Sequence, residues 1–183
     1  MTIPNGVERV LLSEQVIEER VSALAAQISA DYADDDELVL VGVLKGAFIF
    51  LADLARRLTV RHHVDFIALA SYEAHERSGS VRLIMDTRNE LTNRKVLIVE
   101  DILDTGYTLD FLVRNFEVRR PSSLKTCVLL RKPDREQVVV KVDYLGFDIP
   151  DVWVVGYGLD YADKYRTLPY IAALKPETYT KNL

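Results

Sequence analysis

The stretch KVLIVEDILDTGYTL, Lys95 to Leu109, passes from an apolar run into two adjacent carboxylates, a third acid three residues on, and a Thr-Gly-Tyr-Thr turn. Val96, Leu97, Ile98 and Val99 are rich in β-branching and lack polar alternation, which predicts a strand buried on both faces of a parallel sheet. The acids then fall in a loop at the carboxyl end of a core strand, where open α/β sheets collect their ligands.

Asp104 to Thr108 supplies small residues, a glycine and two hydroxyls just before the helical pattern Leu109, Leu112, Val113, Phe116. Backbone N–H groups at such a turn, backed by the helix dipole, form a phosphate cradle. Glu100 and Asp101 cannot face that phosphate directly, since anion would meet anion. They fit ribose hydroxyls or a hydrated Mg²⁺, which takes one or two carboxylates together with waters and ligand phosphate oxygens. Acids beside a phosphate cradle imply a phosphorylated sugar.

Working outward, Ser13 can cap a helix with Val16, Ile17, Val21, Leu24, Ala25 and Ile28 on one face and Glu14 in its first turn. The spacing predicts strands over Leu38–Leu44, Val64–Ala70, Val81–Met85 and Leu124–Leu130, and helices over Ala47–Leu58 and Leu109–Val118. This alternation argues for a mostly parallel twisted sheet flanked by helices. Past Pro133 the pattern is irregular, with short strand candidates near Val138–Val142 and Trp153–Val155, as a small cap beside the main sheet would give. Asp34 to Asp36 read as a solvated turn. The segment from Ser71 to Ser80 is long, charged and glycine-containing, and its composition suits a closing lid or a disordered hairpin tip alike.

A chain of 183 residues fits one domain with one continuous core. With 23 basic and 28 acidic residues, its net charge of −5 opposes a general polyanion-binding role. Cys127 is the only cysteine, so no internal disulfide forms, and its apolar surroundings predict a buried thiol. The first residues lack a basic segment followed by a sustained apolar one, and nowhere do 18 apolar residues run together, so neither export nor membrane spanning is expected. The cytoplasm is the expected compartment. His62, His63 and His75 have no metal-ligand spacing and stay unassigned.

Val99 to Gly106, VEDILDTG, resembles the phosphoribosyl pyrophosphate signature of the purine phosphoribosyltransferases, specifically the hypoxanthine-guanine type. Val43-Leu44-Lys45-Gly46, Leu130-Arg131-Lys132-Pro133 and the stretch from Ile149 to Tyr161 with Arg166 behind it carry the same resemblance, which runs from about Leu38 to Leu174. It implies the type I phosphoribosyltransferase fold in a single domain over 1–183, with a hood built mainly from the N-terminal segment and about 134–183. It also implies Mg²⁺-dependent transfer of the 5-phosphoribosyl group to hypoxanthine or guanine, giving IMP or GMP and pyrophosphate. A homo-oligomer, dimer or tetramer, is expected, and neither nucleic acid nor membrane as partner.

On that resemblance Asp104 exchanges the purine N7 proton; capping the next helix is the other use of a carboxylate at this place. Thr105, Gly106, Tyr107 and Thr108 hold the ribose phosphate. Lys45 and Gly46 bind pyrophosphate beside an unusual cis peptide bond, and Arg166 binds the leaving pyrophosphate. Lys132 meets the purine O6, with Arg131 as its competitor. Trp153 stacks on the base, where the family normally has phenylalanine or tyrosine, and the Val154 backbone meets the base edge. Glu100 and Asp101 serve ribose hydroxyls or the first Mg²⁺, and Asp160 lies by the purine and serves the second Mg²⁺. Ser71 and Tyr72 open a flexible catalytic loop. Two rivals are a xanthine- or adenine-preferring relative, which differs only in hood contacts, and a nucleic-acid-binding regulator of the same fold. Lys132, Trp153 and the acidic charge balance oppose the regulator, and Lys132 opposes adenine.

Overall fold

The computed structural model describes residues 4–32, 37–71 and 81–180. Its main sheet has six strands: β2 (Leu38–Leu44), β3 (His62–Ser71), β4 (Val81–Met85), β5 (Lys95–Leu103), β6 (Ser123–Arg131) and β7 (Tyr144–Asp148). They lie in the order β4-β3-β2-β5-β6-β7, all parallel except β4.

The uninterrupted apolar runs follow from burial on both faces. In β2 and β5, Leu38, Leu40, Leu97 and Val99 point into a core shared with α1 (Glu14–Asp31) and α2 (Phe48–Ala55). Val39, Val41, Val96 and Ile98 point the other way, onto Leu109, Leu112 and Phe116 of α3 (Tyr107–Glu117). Ser13 caps α1 by accepting from Val16 N at 3.3 Å, and the helix buries Ile17, Val21, Leu24, Ala25 and Ile28. Val16 is exposed, because its helical position falls outside that stripe.

A second, three-stranded sheet joins the two ends of the chain in the order β1-β9-β8: β1 (Val7–Leu12), β9 (Ile171–Leu174) and β8 (Val154–Val155). Val7, Val155, Tyr170, Ala172 and Leu174 form its own small core.

Three expectations change. β5 runs on to Leu103, so Glu100 and Asp101 are strand residues rather than loop residues; β6 supplies partners that far, pairing Val128 with Glu100 and Arg131 with Leu103. Val138–Val142 is no strand. Gln137 N and Val138 N both donate to Thr105 O, at 3.0 and 3.1 Å, and the strand here is β7. α3 begins at Tyr107, with Gly106 at its N-cap and no side-chain cap bond, so Asp104 is not the cap. The segment 72–80, the turn at 33–36 and Tyr72 lie outside the described residues. Among the described residues no helix is long and apolar enough to cross a membrane.

Candidate functional site

After β2 the chain crosses to β3 on one side, and after β5 it crosses to β6 on the other, so the direction of winding reverses between β2 and β5. Such a switch point leaves a crevice outside the carboxyl ends of the strands. Lys45 and Gly46 follow β2, Asp104 to Thr108 follow β5, and Lys132 follows β6, so the three loops converge there. The Leu44–Lys45 peptide is cis.

Two clefts meet in the crevice. One, of about 230 Å³, is lined by Ile102, Lys132, Trp153, Val154, Leu159 and Asp160 together with Asp101 and Asp104. The other, of about 200 Å³, is lined by Glu100, Leu103, Thr105, Gly106, Thr108 and Leu109, again with Asp101, Ile102 and Asp104. Asp104 therefore stands where the clefts join. Thr108 and Leu109 of the first turn of α3 line the second cleft, whereas Tyr107 does not, and first-turn N–H groups have no partner within a helix.

The first cleft has an aromatic wall. Trp153 is 45% exposed, with its ring stacked on Tyr179 at 5.5 Å and edge-on to Tyr161 at 5.5 Å. Lys132 is buried, its backbone N–H held by Leu103 O at 2.9 Å and its Nζ 3.4 Å from Asp151 Oδ1. Arg131 is turned elsewhere: its guanidinium holds Asp148 at 2.7 and 3.1 Å. Of the two cations, only Lys132 lines the cleft. Sequence reasoning missed Arg135, whose Nε lies 3.0 Å from Asp104 Oδ1, and Asp151, which faces Lys132 and Arg135. The signal was present in the charged run after Lys132-Pro133; the short 3-10 turn Pro133–Arg135 brings Arg135 back to the cleft.

Glu100 is buried, and its Oε2 has no hydrogen-bond partner among the described residues. Burial pushes the Glu100 carboxyl well above the usual carboxylate range, with the neighbouring Asp101 charge adding to the rise; burial raises Asp101 as well. Glu100 and Asp101, which line the second cleft, could hold a cation that brings its own waters and phosphate oxygens. Among the described residues no cluster of three or more His, Cys, Asp and Glu side chains forms a complete protein cage for a metal.

The remaining candidates sit on a turn that faces the Lys45 loop. Arg166 donates to Gly158 O at 2.8 Å and pairs with Asp160 at 2.7 Å. Gly46 is wedged between walls: a Cβ there would lie 1.7 Å from Asp101 Oδ2. Gly158, at φ +107, presses on the same loop, since its Cβ would come 2.0 Å from Gly46 O. Glycine at both places lets the acidic strand end, the Lys45 loop and the Arg166 turn touch.

A larger cavity, about 350 Å³, lies between α1, α2 and Leu168–Pro169. Its Arg57 is paired with Glu18 and Asp53, and Asp53 also accepts from Tyr157 OH.

The phosphoribosyl transferase domain family matches residues 10–162. The chain belongs to the phosphoribosyltransferase family. It is 47% identical over 176 residues to the hypoxanthine-guanine phosphoribosyltransferase of Dictyostelium discoideum, covering 94% of this chain and 98% of that one. Its identity to the Bacillus subtilis protein of the same name is 44% over 176 residues, covering 96% and 97%. Among solved structures, the Trypanosoma cruzi hypoxanthine phosphoribosyltransferase in complex with the product IMP superposes with a TM-score of 0.91 at 42% identity, covering 98% of this chain and 100% of that one. A hypoxanthine-guanine phosphoribosyltransferase from Bacillus anthracis with HEPES in the active site gives 0.88 at 44% identity, covering 92% and 99%. The phosphoribosyltransferase sheet and its flanking helices are thus shared over nearly the whole chain.

Proposed function

We infer that this phosphoribosyltransferase acts in purine salvage, moving the 5-phosphoribosyl group from phosphoribosyl pyrophosphate to N9 of hypoxanthine or guanine and giving IMP or GMP plus pyrophosphate. The observation that carries the reading is the pair of clefts meeting at Asp104, one walled by Trp153 and Lys132 and the other by the first turn of α3.

In this reading the purine lies against Trp153, a contact worth about 1–3 kcal/mol by analogy with base stacking elsewhere. Lys132 Nζ donates to O6, and the Val154 backbone meets the base edge. Adenine offers an amino group in place of that acceptor, so 6-oxopurines are preferred. Asp104 exchanges the N7 proton as N9 forms its bond. Thr105, Gly106, Tyr107 and Thr108 hold the 5-phosphate, and Lys45, Gly46 and Arg166 hold the pyrophosphate.

Departure of pyrophosphate ahead of attack develops oxocarbenium character at the anomeric carbon, as in glycoside chemistry. Preorganised cations that neutralise the leaving group lower that barrier. Glu100 and Asp101 are the residues that would hold one Mg²⁺, and Asp160 a second; when bound, Mg²⁺ supplies charge neutralisation at the pyrophosphate. Ser71 and Tyr72 are assigned, on the family resemblance, to a loop that closes to exclude water. The small sheet of β1, β9 and β8 serves as the hood. A cytoplasmic homo-oligomer is the expected form.

Steady-state kinetics with phosphoribosyl pyrophosphate, Mg²⁺ and each of hypoxanthine, guanine, xanthine and adenine tests the reading. Higher kcat/KM on hypoxanthine or guanine is expected. Preference for xanthine or adenine overturns the base assignment.

A further inference from the structure

Lys45 and Arg166 come from opposite walls of the crevice, yet both donate to one atom. Lys45 Nζ lies 3.1 Å and Arg166 Nη2 3.0 Å from Asp163 Oδ1. The turn is built to deliver that carboxylate: Ala162 and Asp163 adopt φ of 52° and 57°, and Asp163 N donates to Asp160 Oδ2 at 2.7 Å. The Asp163 and Lys45 side chains are 69% and 67% exposed, so the contact is open to exchange with solvent and solutes.

We propose that Asp163 is a resident counter-anion, its carboxylate standing where a pyrophosphate oxygen bridges Lys45 and Arg166, so that pyrophosphate groups must displace it to bind. This inference rests on the assignment of Lys45 and Arg166 to pyrophosphate given above. A diphosphate offers each cation its own oxygen and gains from the exchange. Asp163 thereby sets the threshold of charge that the site accepts.

Exposed ion pairs of this kind are each worth about 1.4- to fivefold in an equilibrium, so removing a charge that meets two cations should tighten pyrophosphate binding roughly two- to 25-fold. Asparagine tolerates the left-handed backbone at this position and keeps its N–H bond to Asp160, so Asp163→Asn preserves the turn.

The test is calorimetric titration of the full chain with pyrophosphate, with Mg²⁺ present and ionic strength fixed, for the parent protein, Asp163→Asn, Lys45→Ala and Arg166→Ala. The proposal expects tighter binding in Asp163→Asn and weaker binding in the other two. If Lys45→Ala and Arg166→Ala weaken binding while Asp163→Asn leaves it unchanged or weaker, Asp163 is no competitor, although the two cations keep their assignment. Unchanged affinity in Lys45→Ala and Arg166→Ala removes the cations from pyrophosphate binding, and the counter-anion falls with them.

Discussion

Arg135 reaches across from the turn after β6 to place its Nε 3.0 Å from Asp104 Oδ1, so the carboxylate at the junction of the two clefts is held by a guanidinium. Both side chains are partly exposed, 46% and 39%. A pair of this kind contributes about 0–1 kcal/mol to stability, so an arriving base can replace it at little cost.

Replacing Asp104 with Asn keeps the shape of the loop but removes the proton acceptor. Turnover should fall about 10²–10⁴-fold, the usual contribution of a general acid or base, with affinity for phosphoribosyl pyrophosphate within a few fold. Single-turnover kinetics beside a direct binding titration separates the two quantities. Undiminished turnover on hypoxanthine would take Asp104 out of the chemistry.

Lys132 and Arg131 are adjacent, but only Lys132 lines the cleft while Arg131 is held by Asp148. Lys132→Ala should cost kcat/KM on 6-oxopurines about 1.5–3 kcal/mol, the worth of a hydrogen bond to a charged group. Arg131→Ala should leave base choice unaltered. The reverse result, measured with hypoxanthine and guanine, would move base recognition to Arg131.

Burial lifts the Glu100 and Asp101 carboxyls above their ordinary range. With folded pKa values above the unfolded ones, their contribution to stability is fully present below the unfolded values and is lost as pH rises through the raised folded ones. The parent protein should therefore gain thermal stability on mild acidification from neutral pH, through these two groups. Glu100→Gln should flatten that slope and raise the neutral-pH Tm while weakening Mg²⁺-dependent substrate binding. Calorimetric scans across pH decide it, and a lower neutral-pH Tm in Glu100→Gln would count against a repulsive, desolvated pair.

Gly46→Ala places a methyl group 1.7 Å from Asp101 Oδ2 and 2.4 Å from Asp101 Cγ, so the Asp101 carboxylate or the Lys45 loop must shift. Overpacking of this sort costs about 1–3 kcal/mol. At this chain length each kcal/mol shifts Tm by about 2–4 °C. The KM for phosphoribosyl pyrophosphate should rise more than that for hypoxanthine. Equal changes in both would show that Gly46 serves folding alone.

The main sheet was legible because its strands announce themselves: Leu38–Leu44 and Val96–Val99 are apolar without alternation, and only burial on both faces permits that. The edge elements were less so. β7 reads Tyr-Leu-Gly-Phe-Asp, a mixed pattern beside the more β-prone Val138–Val142, yet it is β7 that pairs with β6. The backbone N–H groups of Gln137 and Val138 are instead bonded to Thr105 O, a contact between segments distant in sequence.

By itself the sequence determined the strand and the helix that flank the acids at Lys95–Phe116, since hydrophobic burial and helix periodicity are local properties of the chain, whereas how far β5 runs was set by its pairing with β6. It also supplied the side chains from which a site can be drawn. Only the tertiary structure decided which of them meet: that Asp104 borders both clefts and is held by Arg135, that Lys132 rather than Arg131 turns inward, and that Lys45 and Arg166 converge on Asp163. Each of these relations joins segments brought together by strand order and by close backbone approach at Gly46 and Gly158. Residue spacing along the chain does not encode such distances; they arise when the sheet and the helices bury their apolar faces together.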